Sequence, residues 1–246
     1  SATNVTGDNT ILQARVHEAR IGLDFATLEF YRLNKSGFPL SDAQNINKRI
    51  ARFTSATTAQ GIKIINEMGL PLTDYLQGYQ KLVSNSKEVN LAKNAKVNLA
   101  IKPVKYAKED PQALTDGAFG GWSFYANWLG FLDDMKATID LGAVTNFSQV
   151  SVSFLQVTNH VVFFPTAVTF EASEDGINYT AIQTVENVFP LAKTSKVNDI
   201  QVFATASKSQ KARFIRVTGK NMKSPPYWHH AAGTGAWIFA DEIVVK

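Results

Sequence analysis

An α+β chain in two parts is what the sequence predicts: a helical bundle segment over residues 1–90, then an antiparallel β-sandwich over residues 91–246. Three observations predict it. The apolar period is helical before about residue 90 and strand-like after it. No helical pattern interrupts the strands. Turn chemistry separates them, as in the Asp-Gly hairpin signal Glu174-Asp175-Gly176-Ile177-Asn178.

In the first part, Leu12, Val16, Ala19, Leu23, Ala26, Phe30 and Leu33 step alternately by four and three. That places them on one stripe of a helix from about Thr10 to Leu33, the expected core face. Asn34-Lys35-Ser36-Gly37-Phe38-Pro39 ends it. Ser41 or Asp42 caps a second helix, with Ile46, Ile50, Phe53, Ile64 and Met68 on one side and a stop at Gly69-Leu70-Pro71. A third starts at Thr73 or Asp74 and carries Leu76, Tyr79 and Val83. Short connections make the three antiparallel neighbours.

In the second part, eight strands are expected: Val97–Ile101, Ala137–Leu141, Val150–Leu155, Ala167–Ser173, Tyr179–Val185, Ile200–Ala204, Ala212–Thr218 and Trp237–Val245. With strict up-and-down alternation, the plain connections Gly142–Phe147, Glu174–Asn178 and Thr205–Lys211 fall at one end. Ala107–Lys136, Val157–Thr166, Glu186–Asp199 and Gly219–Ala236 fall at the other, carrying Trp122, Phe124, Tyr125, Trp128, His160, Phe163, Phe164, Phe189, Tyr227, Trp228, His229 and His230. Two readings stand: these aromatics bind something at the decorated end, or they cap the core under long loops. Trp128 and Trp237 are assigned to the core.

Composition narrows the function. With no cysteine, disulfides, thiolate-bound zinc, iron–sulfur clusters and a cysteine nucleophile are excluded. The net charge of +4 sits largely on Lys87, Lys93, Lys96, Lys102, Lys105 and Lys108, interleaved with Val and Asn. That is a solvated face rather than a nucleic-acid site. No apolar run approaches the roughly 20 residues of a membrane span. Glycosidases need two carboxylates opposed across a cleft. Asp133-Asp134 and Asp241-Glu242 are adjacent pairs, expected to face apart on a strand, so the chain itself is read as non-catalytic.

Five motifs recur in order: Leu114-Thr115-Asp116-Gly117, Ala137-Thr138-Ile139-Asp140-Leu141-Gly142, Ser173-Glu174-Asp175-Gly176-Ile177-Asn178-Tyr179-Thr180, Ala212-Arg213-Phe214-Ile215-Arg216-Val217 and Ala240-Asp241-Glu242-Ile243-Val244-Val245. In these the sequence resembles a discoidin domain, also called F5/8 type C, with the galactose-binding-like jelly roll of family 32 carbohydrate-binding modules. Trp128-Leu129-Gly130-Phe131 and Ala236–Ile243 resemble modules that close glycoside hydrolases of Bacteroidetes. The resemblance implies a C-terminal fragment of a larger glycoside-hydrolase-like protein, with its catalytic domain upstream. It implies a bacterial periplasmic, outer-membrane-surface or secreted location.

The same resemblance implies a structural Ca²⁺ on Asp116 and Glu242, helped by carbonyls near Ala113 and Asp241. Ala118 and Gly121 stand where the family often has oxygen-bearing side chains. The alternative is that Asp116 caps its own turn and Glu242 pairs with a base. It also implies a glycan or terminal monosaccharide as partner at the decorated end; no family signature fixes the contacts there, and stacking faces and hydrogen-bonding groups point to Tyr125, Asn127, His160, Trp228, His229 and His230. Other uses of the fold are protein or membrane-surface adhesion, for which Phe163-Phe164 could be the tip, or a purely structural accessory role. A metal on His229-His230 lacks a third ligand in the sequence.

Overall fold

This computed structural model describes residues 9–33, 40–67, 70–85, 89–104, 109–121, 127–189, 191 and 199–246. The chain divides into two compact units, residues 1–87 and 88–246.

In the first unit, α1 spans Thr10–Leu33, α2 Leu40–Ala59 and α3 Leu72–Asn85. Asn9 caps α1, its Oδ1 accepting the N–H groups of Ile11 and Leu12 at 3.1 Å. The core joins Leu28 and Tyr31 of α1, Ile46, Ile50 and Phe53 of α2, and Leu72, Tyr75, Leu76 and Tyr79 of α3. The rings of Phe25, Phe53 and Tyr75 pack with centroids 5.7–6.3 Å apart.

The buried face of α1 is not the stripe that the period predicts. Ile21, Asp24, Phe25, Leu28 and Tyr31 turn inward, while Leu12, Leu23 and Phe30 are exposed. The helix has apolar residues on two opposite faces, and polar partners choose between them. Asp24, only 2% exposed, takes Arg49 at 2.7 Å and Arg52 through two bonds of 2.7 and 2.5 Å. Glu29 accepts the hydroxyls of Tyr75 and Tyr79 at 2.9 and 3.0 Å. With the large Phe25, Leu28 and Tyr31, these bonds fix the rotation of α1.

A second correction concerns α2, which stops at Ala59 and not at Gly69. Gly61 takes the left-handed conformation with φ 66° and donates to Thr58 O, while Ile62 donates to Thr57 O. Ile64 therefore leaves the helix and pairs as an isolated bridge with Pro71. Met68 lies outside the described residues.

The second unit is a sandwich of two antiparallel sheets. Among the described residues nine strands form it: β1 Lys96–Leu99, β2 Leu129–Phe131, β3 Met135–Phe147, β4 Val150–Gln156, β5 Ala167–Ser173, β6 Thr180–Glu186, β7 Asp199–Ala204, β8 Gln210–Gly219 and β9 Ile238–Val245. The orders are β1-β3-β8-β5-β6 and β2-β9-β4-β7. Period two sets the inner face: Met135, Ala137 and Ile139 of β3 with Ile215 and Val217 of β8 meet Val152 and Phe154 of β4 with Ile238, Ala240 and Ile243 of β9. Every residue of β9 is buried, because the strand is interior to its sheet and covered on both faces. The outer cover is a second apolar cluster of Trp128, Leu155, Val157, Val162 and Phe239, with Trp237 against it.

Two bulges shape the loops. Between Asp140 and Thr145 the β3 register shifts, with Gly142 at φ 84° donating to Asp140 Oδ1. Opposite β4, Val152 pairs with Ile243 but Phe154 pairs with Ala240. One residue of β4, Ser153, thus stands opposite two of β9, Asp241 and Glu242.

Candidate functional site

Strand direction gathers the long connections at one end of the sandwich. Met135 pairs with Gly219, Gly219 with Val168, and Ala167 with Glu186, so the loops around these residues share that end. The loops 157–166 and 220–237 are then tied together. Val162 bridges Trp237, Phe163 N–H donates to Trp237 O at 2.9 Å, and Trp237 N–H donates to Val161 O at 2.8 Å. Val161 itself has φ 57°, a left-handed backbone that β-branched residues rarely adopt, at the close of the short 3-10 turn Thr158–His160.

His229 makes the second tie. Its Nδ1 accepts the Ala231 N–H at 3.1 Å, which leaves the proton on Nε2 to donate to Thr158 O at 2.7 Å. The neutral ring is buried and stands edge-on to Phe163. Asn221 closes the base of the 220–237 loop, donating to Ala236 O at 2.9 Å and accepting from Lys223 N at 2.6 Å. Asp134 accepts the Asn221 N–H at 2.9 Å, and Lys223 pairs with both Asp133 and Asp134. The pair Asp133-Asp134 is therefore a loop anchor.

On this frame sit the residues turned to solvent. Tyr227 is 88% exposed, His160, His230 and Asn159 are exposed, and Trp228 is half-buried with its ring 6.0 Å from that of His229. The His229 and His230 rings lie 4.2 Å apart. Of the six ligand-contact residues expected from sequence, the structure brings His160, Trp228 and His230 to one surface. His229 lies beneath it with both ring nitrogens spent on the backbone, which removes it as a metal ligand. Asn127 is buried at φ 61° and donates to Phe119 O at 3.2 Å, so its side chain holds its own loop. Tyr125 lies outside the described residues, as do Trp122 and Phe124.

A second cluster lies where the loop 115–121 laps over β9. The bulge turns Asp241 and Glu242 toward the same loop, against the expectation that neighbours on a strand face apart. Glu242 accepts the Gly117 N–H on both oxygens at 3.0 Å, and Asp241 accepts the Gly120 N–H at 2.6 Å. Asp116 caps its own turn, accepting the Ala118 N–H at 2.9 Å. Sequence reading missed Asn90, which donates to Glu242 at 3.1 Å and to Ile243 O at 3.1 Å while accepting the Val245 N–H at 2.9 Å. An Asn in a turn ahead of the first strand gives no distinct signal in a sequence.

Burial, then the charges of Asp116 and Asp241, push the Glu242 carboxyl up to about 9 against the pull of its Gly117 and Asn90 hydrogen bonds. This concentration of hard oxygens and negative charge fits a hard cation in donor type and in charge. Among the described residues no three His, Cys, Asp or Glu side chains are grouped to hold a metal alone. A cation on Asp116 and Glu242 would therefore take most of its oxygens from backbone carbonyls or water. Both Asp241 and Glu242 are about 1% exposed, which denies a substrate access to them.

No curated protein matches the chain. Among solved structures, it is similar to chitosan-binding module 1 of a chitosanase/glucanase from Paenibacillus sp. IK-5, at 16% identity and TM-score 0.43, covering 65% of this chain and 99% of that one. The module CpGH89CBM32-6 of Clostridium perfringens is 17% identical with TM-score 0.40, over 64% of this chain and 98% of that one. A GH29 fucosidase of Ruminococcus gnavus is 16% identical with TM-score 0.41, over 72% of this chain and 31% of that one. The F5/8 type C domain family matches residues 93–238. With that match across more than half of its length, on a sandwich of the expected topology, the chain belongs to the F5/8 type C family.

Proposed function

We propose that the second unit is a non-catalytic carbohydrate-binding module that takes a terminal sugar at its long-loop end, against Trp228, Tyr227, His160 and His230. The observation that carries this is the double tie of the 157–166 and 220–237 loops through His229 and Trp237. It fixes an exposed aromatic surface beside imidazoles before any ligand arrives, which lowers the ordering cost of binding. A ring C–H face stacks on Trp228 or Tyr227 while the imidazoles meet hydroxyls. One platform and two or three solvent-competing hydrogen bonds give a dissociation constant on the order of 0.1–1 mM. Phe163 and Phe164 are buried, which favours a sugar over a membrane surface.

The reading extends to a structural Ca²⁺ held by Asp116 and Glu242, which would offset the repulsion among the buried carboxylates and brace the 115–121 loop. It extends also to the setting: an accessory module of a glycoside-hydrolase-like protein at a bacterial surface, in the periplasm or secreted. The test is a titration of galactose, N-acetylgalactosamine, N-acetylglucosamine and glucuronic acid followed by chemical-shift mapping. Shifts are expected at Asn159–Val161 and Tyr227–His230. Shifts confined to Asp175-Gly176 and Ser207-Lys208 overturn the proposal.

A further inference from the structure

The outward stripe of α1 has an order of its own. Leu12, Val16, Ala19, Leu23, Ala26 and Phe30 follow the heptad spacing of a coiled-coil seam, with Val16, Leu23 and Phe30 at a positions and Leu12, Ala19 and Ala26 at d. Leu23 is 68% and Phe30 63% exposed, and Leu12 on the same stripe is exposed too. So much apolar surface on one face of a helix marks an interaction site. The other side of α1 is committed to its own bundle through Asp24, Leu28 and Tyr31.

We propose that α1 pairs with α1 of a second copy of this chain, antiparallel, through this seam. Size and charge both select that arrangement. In an antiparallel pair, a positions face d positions. Val16 then meets Ala26 of the second copy, Leu23 meets Ala19 and Phe30 meets Leu12, so each layer sets a larger residue against a smaller one. In a parallel pair, Phe30 meets Phe30 and Ala19 meets Ala19, which overfills one layer and hollows another. The flanks agree. Antiparallel pairing sets Arg15 against Glu29 of the second copy, twice by symmetry, and Glu29 is held in place by the Tyr75 and Tyr79 hydroxyls. Its one like-charge meeting is Arg20 with Arg20. Parallel pairing sets Arg15 against Arg20 twice, with no opposite charge in return.

Two of the six seam positions are alanine, so the pairing is weak, with a dissociation constant on the order of 10 μM. Sedimentation equilibrium of the whole chain tests it. At about 100 μM, ten times that constant, the chain is expected to be dimeric. Leu23→Lys is expected to be monomeric at the same concentration, with unchanged ellipticity at 222 nm. A wild-type monomer overturns the proposal. So does a Leu23→Lys chain that loses helix, since that would mean the seam is covered within one chain. Because the chain has no cysteine, single thiols report the direction. A mixture of the Leu12→Cys and Phe30→Cys chains is expected to form the mixed disulfide under mild oxidation, while Leu12→Cys alone stays uncoupled. Efficient coupling of Leu12→Cys with itself overturns the antiparallel pairing.

Discussion

Gly120 lies flat against the indole of Trp128: a Cβ on Gly120 would sit 2.2 Å from Trp128 Cε2. The indole is fully buried, and its Nε1 donates to Gly121 O at 2.8 Å, so neither ring nor loop can give way. Gly120→Ala is expected to cost roughly 1–3 kcal/mol through overpacking. Urea unfolding of the second unit checks it. An unchanged midpoint would show that the 115–121 loop yields more easily than its contacts imply.

Asn90 predicts where the second unit can be cut. Its side chain joins Glu242, Ile243 and Val245, and the adjacent Leu91 N–H donates to Val245 O at 2.8 Å. A fragment 89–246 is expected to unfold cooperatively. A fragment 93–246, which loses these bonds and leaves buried acceptors unpaired, is expected to be less stable by about 2–4 kcal/mol. Equal melting temperatures would deny Asn90 that role.

Asp24 gives the first unit a pH dependence. Burial raises its carboxyl, but the hydrogen bond and charge of Arg52, with the charges of Arg49 and Arg20, overcome this and hold it below the usual carboxylate range. A depressed native value stabilises the fold above the ordinary carboxylate value, and that stability is lost as pH falls through the native one. Helix ellipticity in urea is therefore expected to fall on acidification, and Asp24→Asn to flatten that fall. Since both arginines are about a third exposed, with side-chain values of 32% and 37%, the substitution costs only about 1–3 kcal/mol at neutral pH.

Binding predictions separate platform from frame. Trp228→Ala is expected to weaken sugar binding about tenfold, taking roughly 0.5–1.5 kcal/mol of aromatic contact plus lost area. His229→Ala is expected to weaken it comparably through the untied loops, with faster amide exchange at Thr158–Val161. If Trp228→Ala changes nothing, the stacking surface is elsewhere.

Metal chelation tests the carboxylate cluster. Added Ca²⁺ is expected to raise the melting temperature of the whole chain, and a chelator to lower it, by an amount that grows with ligand concentration. Asp116→Asn is expected to abolish the response. Indifference of the wild type to both reagents would leave Glu242 balanced by Gly117 and Asn90 alone.

Most of the architecture was legible because period is local. Eight of the strands announced themselves by alternation, whereas β2, three residues that are all buried, carries no alternation to read. The buried face of α1 is not legible, because two opposite faces are apolar and only the partners of Asp24 and Glu29, on other helices, decide between them. In the site, Asn127 and His229 looked like ligand contacts because polar residues in aromatic loops do. That their polar atoms serve the backbone is a tertiary fact. The shared direction of Asp241 and Glu242 depends on a bulge, which is set by the register against β4.

The interior position of β9 has a consequence for the order of events in synthesis. Residues 238–245 are made after every other strand, yet they lie between β2 and β4. Until they clear the ribosome, both of those strands lack their shared neighbour and the apolar faces of the sandwich stay open. The first unit, built from local helical contacts, can fold while the rest is still being translated; the second must wait, holding about 150 residues of sheet-forming chain unfolded in the meantime. A sandwich completed only by its last-made strand keeps its open faces exposed to mispairing for as long as that strand is missing.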